Sequence, residues 1–115
     1  MNNDNERINS DQYFHTLPGN LNCAQAVLKG FQKEFQLTDQ EIEEYRALGG
    51  GRAQDGICGA LFSAERLLTQ AGKPGITEEF NKTAGETHCH AIKSLKYSCF
   101  DCVKLADGLL EKHLK

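Results

Sequence analysis

The chain has 115 residues and a formal net charge of −3, with 39% hydrophobic and 25% charged side chains. That length suits one hydrophobic core and no second, and this balance excludes wholesale disorder. The charge and the lack of any basic run exclude a phosphate-backbone partner, so no nucleic acid is expected.

Only Val27 and Val103 represent valine, and tryptophan is absent, while leucine, alanine, lysine and glutamate dominate. This composition favours helix over sheet. Residues 1–10 are polar and lack the basic start and apolar run of a secretory signal. No stretch is apolar for long enough to span a bilayer. The expected compartment is the cytoplasm, with no membrane insertion.

In chain order, residues 1–19 form a polar N-terminal segment with a short helical turn near 10–16, and 20–115 form one helical domain. Pro18-Gly19 breaks the chain. Asn22, with Gln25 three residues on, then caps a first helix carrying Ala24, Val27, Leu28, Phe31 and Phe35 at helical spacing. Thr38 with Glu41 opens a second helix that carries Ile42, Tyr45 and Leu48 and stops at Gly49-Gly50-Gly51.

A third helix starts at Asp55 or Gly56, turns Ile57, Leu61, Phe62, Leu67 and Leu68 inward, and ends before Gly72 and Pro74. Thr77 starts the fourth, with Glu78 and Glu79 in its first turn as the helix dipole prefers. Its buried face is Phe80, Ala84, Ala91, Ile92 and Leu95. Ser98 with Asp101 opens the fifth, which carries Val103, Ala106, Leu109, Leu110 and Leu114. The expected fold is all-α, a small up-and-down bundle of about five helices with short connections.

Five cysteines are many for a reduced compartment, where structural disulfides are rare, so metal binding or redox chemistry ranks ahead of stapling. Helix alternation brings the starts of the first, third and fifth helices to one end of the bundle. Cys23, Cys58 and Cys99 each fall in one of those first turns, and Cys89 falls toward the finish of the fourth helix at the same end. Cys89 is the least securely placed, since a fourth helix running past it buries it nearly two turns inward unless Gly85 bends or breaks the helix. Unpaired N–H groups in a first turn stabilise a thiolate. Arg52, in the glycine-rich approach to Cys58, adds positive charge. The plainer reading is that buried cysteines pack as small hydrophobes; four converging at one end count against it.

The run Asn22-Cys23-Ala24-Gln25-Ala26-Val27, then Gly49-Gly50-Gly51, then Gly56-Ile57-Cys58-Gly59-Ala60 resembles the redox-active protein family written C_GCAxxG_C_C. That family has four signature cysteines and a CGAxxG motif. Here the motif reads Cys58-Gly59-Ala60-Leu61-Phe62-Ser63, so Ser63 stands at the last glycine, which implies looser helix packing one turn beyond Cys58. Cys89, after Gly85, is similar to the third signature cysteine, and Cys99, four residues before Val103, to the fourth. The resemblance spans about residues 20–110 and implies a redox role. Cys102 is then an extra, one turn deeper than Cys99, and is expected to be dispensable where Cys99 is not.

Other constellations carry less. Cys99-Phe100-Asp101-Cys102 is a CxxC at a helix start, outside the βαβ setting of thioredoxin-like folds, yet a local dithiol there can close a disulfide. His88-Cys89-His90 cannot aim three side chains at one ion, because neighbouring helical residues diverge, and reads as surface histidines around a cysteine. His15 and His113 have no evident partners. Gly51 through Gly56 has phosphate-loop glycine spacing, but Ile57 and Cys58 stand where that loop needs Lys and Ser or Thr. No spacing marks a Ser-His-Asp set.

The expected function is redox, by electron transfer or dithiol/disulfide exchange with a protein partner, at a site of Cys23, Cys58, Cys89 and Cys99, with Arg52 and Cys102 secondary. Four thiolates also suit an iron–sulfur cluster; zinc fits less well, because only one closely spaced ligand pair exists. The alternative is a structural or regulatory helical module whose cysteines bind zinc or only pack.

Overall fold

The computed structural model describes residues 9–14, 21–48, 56–88, 91–92, 95 and 97–114. A 3-10 turn, Ser10–Gln12, precedes α1 (Cys23–Gly30), α2 (Gln32–Phe35) and α3 (Asp39–Glu44), which runs on into a 3-10 turn, Tyr45–Leu48. Then come α4 (Gly59–Gln70), α5 (Thr77–Ala84) and α6 (Cys99–Leu114). Among the described residues there is no strand, only two isolated bridges, Phe14 with Leu21 and Ile57 with His88. The fold is all-α, and no described helix is long and apolar enough to cross a membrane.

Local chemistry sets the helix starts. Asn22 and Gln25 form a reciprocal capping box at the head of α1, and Thr38 and Glu41 form another at α3. Each box satisfies amides that the first turn leaves unpaired. Asn22 also donates its side-chain amide to the Arg46 carbonyl at 2.8 Å, and the buried Gln25 amide reaches the Ile42 carbonyl at 3.1 Å. These bonds tie the amino end of α1 to α3, and so hold Cys23 in place. Ser98 and Asp101 repeat the pattern at α6: the Asp101 amide donates to Ser98 Oγ at 3.1 Å, and Asp101 Oδ2 accepts from the Ser98 amide at 3.1 Å.

Three helices stop or start differently from the sequence expectation, two of them for a reason distant in sequence and one at a local glycine. The first helix breaks at Phe31 (φ −116°, ψ 17°) instead of running through Phe35. Just before the break, a Cβ on Gly30 would stand 2.1 Å from Ser10 Oγ, so the missing side chain admits the N-terminal turn. The third begins at Gly59, not at Asp55 or Gly56. Ile57 is held in an antiparallel bridge with His88, and the Cys58 amide donates to the Thr87 carbonyl at 2.8 Å. The fourth ends at Ala84, because Gly85 takes the left-handed conformation (φ 86°) that glycine accepts without strain. Ala91 and Ile92 are helical again beyond it.

The core sits where α1, α4 and α6 pack on one another. Val27, Leu28, Leu61, Leu67, Val103 and Leu110 are fully or almost fully buried there, with Phe31 and Phe80 the largest side chains enclosed. Buried aliphatic and aromatic side chains of this size each contribute roughly 1.5–3 kcal/mol relative to exposure. Ser63 is buried in the same layer and donates its hydroxyl to the Ala24 carbonyl at 2.8 Å. The looser packing expected at Ser63 is therefore corrected: the hydroxyl bonds α4 to α1. Glu65 performs a similar task at α5, where its carboxylate accepts the Ile76 amide at 2.9 Å and the Thr77 hydroxyl at 2.6 Å.

Candidate functional site

The amino ends of α1, α4 and α6 carry Cys23, Cys58 and Cys99, each by a different local device. Cys23 is the first residue after the Asn22 cap. Cys99 is the first residue of α6, behind the Ser98–Asp101 pair. Cys58 is not inside a first turn, as its distance from Asp55 suggested; it is the N-cap residue of α4, in extended conformation (φ −57°, ψ 131°). Cys102 lies one turn into α6.

The sulfurs of these residues interact. Cys58 and Cys102 influence each other's ionisation, and Cys23 bears on both through its charge. Cys99 bears on Cys102 in the same way. Cys23, Cys58 and Cys102 are 3%, 4% and 2% exposed, so solvent reaches none of them freely, whereas Cys99 is partly exposed. None of the four is joined in a disulfide.

Cys58 and Cys102 share one protonation event in unequal parts. The Cys102 hydrogen bond is the largest influence on Cys58 and lowers its pKa, and the backbone amides of Leu61 and Ala60 act in the same direction without closing a cap hydrogen bond. Burial and the neighbouring Cys23 oppose them, and the net effect is a lowered pKa. Cys102 moves the other way: donating to Cys58, desolvated, and facing the charges of Cys58, Cys99 and Cys23, it holds its proton far above the ordinary thiol range. Tyr97, half-buried on the approach to α6, has its phenol pushed upward by burial and by the charges of Cys102 and Asp101.

Of the residues singled out in the sequence, Cys23, Cys58 and Cys99 meet around Cys102, while Cys89 and Arg52 lie outside the described residues. Cys102, set apart as an extra beyond the family pattern, is the residue in contact with Cys58. Its spacing carried the signal: Cys102, Val103, Ala106 and Leu110 form the buried stripe of α6. Among the described residues no three Cys, His, Asp or Glu side chains are arranged to hold a metal ion. His88 is exposed, as a surface histidine should be, and His113 has a partner after all, the Glu79 carboxylate.

No protein-family model matches the chain, and it has no match among curated proteins or solved structures. The likeness to the C_GCAxxG_C_C family accordingly rests on the cysteine and glycine pattern itself.

Proposed function

We propose that the protein is a thiol redox protein that accepts and returns two electrons by opening and closing a disulfide between Cys58 and Cys102. One observation supports this reading: two buried cysteines from different parts of the chain, Cys58 at the N-cap of α4 and Cys102 one turn into α6, influence each other's ionisation, with the pKa lowered at Cys58 and raised at Cys102. Thiol–disulfide exchange needs a thiolate to attack and a second sulfur within reach to resolve the mixed disulfide. Cys58 supplies the thiolate and Cys102 the second sulfur.

The co-reactant is a disulfide on a partner protein. When the pair is oxidised, the partner disulfide gains two electrons and two protons and leaves as two thiols. The two protons come from Cys58 and Cys102, and the sulfur–sulfur bond forms between them. In the reverse direction a partner dithiol is oxidised. In the cytoplasm, where structural disulfides are rare, such a pair would cycle rather than stay closed.

A redox titration in glutathione buffers of graded ratio, with thiols counted after acid quenching, tests the reading. The expected result is the loss of two thiols per chain in one transition, absent from both Cys58→Ser and Cys102→Ser chains. A chain that keeps all its thiols, or loses them equally in both variants, refutes the proposal. The cysteines would then be packing residues of a structural module.

A further inference from the structure

We propose that residues 9–14 are a strap lying across Cys23, and that its undocking, with the helices still folded, is what exposes that thiol. The device needs no bond between Cys58 and Cys102; it governs a third thiol, which that pair does not use. Cys23 is 3% exposed. It opens α1, and Gly30 closes that helix seven residues on. Seven residues are close to two full turns, so both lie on one face of α1, about 10.5 Å apart along its axis. The segment runs along that face from end to end. Ser10 sits on Gly30, where a Cβ would overlap its Oγ, and Phe14 forms a parallel bridge with Leu21, two residues before Cys23.

On its other side the segment follows α6. The Ser10 amide donates to the buried Asp107 carboxylate at 2.7 Å, and the Phe14 ring packs 6.4 Å from that of Phe100, again seven residues from Asp107. Four residues of 3-10 or extended chain span about 8–13 Å, which matches two helical turns. The strap therefore lies in the groove between α1 and α6, and Tyr13 and Phe14 pack against the core cluster to which Cys23 belongs. The backbone bonds from Gln12 to Asn9 and from Tyr13 to Ser10, both at 3.0 Å, lie within the segment and move with it. Its docking is weakened at one point: Ser10 Oγ is buried and, among the described residues, has no hydrogen-bond partner. Undocking returns that hydroxyl to water, so it opposes the docked state. A short segment laid on the outside of a helical core is the kind of unit that opens below the energy of global unfolding.

Alkylation of the reduced chain by iodoacetamide, at urea concentrations below the unfolding transition and read cysteine by cysteine from fragment masses, tests the strap. The Cys23 rate should be nearly flat in urea, because opening a short segment exposes little surface. Cys58 and Cys102, 4% and 2% exposed, should react at rates that climb steeply with urea. Phe14→Ala loosens the strap and should speed Cys23 alkylation about tenfold. Ser10→Ala keeps the Cβ and removes only the unpaired oxygen, so it should slow Cys23 alkylation about fivefold. This second variant decides the matter on its own if Phe14→Ala does not fold. Alkylation of Cys23 that climbs with urea in step with Cys58 and Cys102 overturns the proposal, since that thiol then meets solvent only on global unfolding. So does a Cys23 rate that Ser10→Ala leaves unchanged or raises. Neither result bears on the disulfide between Cys58 and Cys102, which the redox titration tests separately.

Discussion

Cys58 and Cys102 shift each other's ionisation in opposite directions, down at Cys58 and up at Cys102. The Cys102 thiol is the largest influence holding the Cys58 pKa down. Removing it in Cys102→Ala should move the lowest step of the thiolate absorbance titration to higher pH. The sign follows from the acceptor: without a donor the Cys58 thiolate loses stabilisation, so less of it exists at any pH near neutrality. Cys102→Ser keeps an O–H donor and should move that step less. Equal shifts in the two variants would show that the hydrogen bond does not set the pKa. At Ser63 the same scale gives a stability effect. Ser63→Ala removes the 2.8 Å bond to the Ala24 carbonyl in the core and should cost about 0.5–1.5 kcal/mol, read as a lower urea midpoint at unchanged slope. An unchanged midpoint would mean that the hydroxyl contributes nothing across α1 and α4.

Helix starts were legible wherever the signal is local. Asn22 with Gln25, Thr38 with Glu41, and Ser98 with Asp101 each complete their bonds within three residues, so a pattern in the sequence suffices. The stop of the fourth helix was legible in part, since Gly85 marked the place where it breaks; the break after Gly30 and the displaced start at Gly59 were not, because their causes sit elsewhere in the chain. Nothing near Cys58 says that Thr87 will take its amide, nor anything near Gly30 that Ser10 will fill the space beside it. Gly30→Ala tests the second. The new Cβ would meet Ser10 Oγ at 2.1 Å and Ser10 Cα at 3.0 Å. Overpacking of this kind costs typically 1–3 kcal/mol, more than the helix propensity that alanine returns. The variant should unfold at lower urea, and the Ser10 amide, which donates to the buried Asp107 carboxylate at 2.7 Å, should exchange its hydrogen faster. Unchanged exchange at Ser10 would show that the turn absorbs the methyl group without moving.

At the scale of the molecule, α1, α4 and α6 bring their amino ends together because they share one core, and the cysteines ride on that arrangement. Helix alternation led to the expectation that Cys23, Cys58, Cys89 and Cys99 share one end of the bundle; of these, Cys23, Cys58 and Cys99 each bear on Cys102, and Cys89 lies outside the described residues. The pairing of Cys58 with Cys102 was not legible, since it depends on how far α6 turns about its own axis once Val103, Ala106 and Leu110 are buried. Closing that pair links positions 44 residues apart in the sequence. Loops of this size stabilise by about 2–4 kcal/mol through the unfolded state. The oxidised chain should therefore melt at a higher temperature than the reduced chain, and the difference should vanish in Cys58→Ser. A lower melting temperature on oxidation would mean that the bond strains the helix ends it joins.

Peptide mapping of the chain oxidised by glutathione disulfide bears most directly on the pairing of Cys58 with Cys102. Cleavage at lysine and arginine leaves Cys58 in one peptide and both Cys99 and Cys102 in another, and further cleavage before Asp101 separates those two. At equilibrium the account predicts Cys58 joined to the fragment that begins at Asp101 and carries Cys102, with Cys99 alkylated as a thiol. Cys58 recovered as an alkylated thiol, with Cys102 joined elsewhere or unreacted, would contradict it.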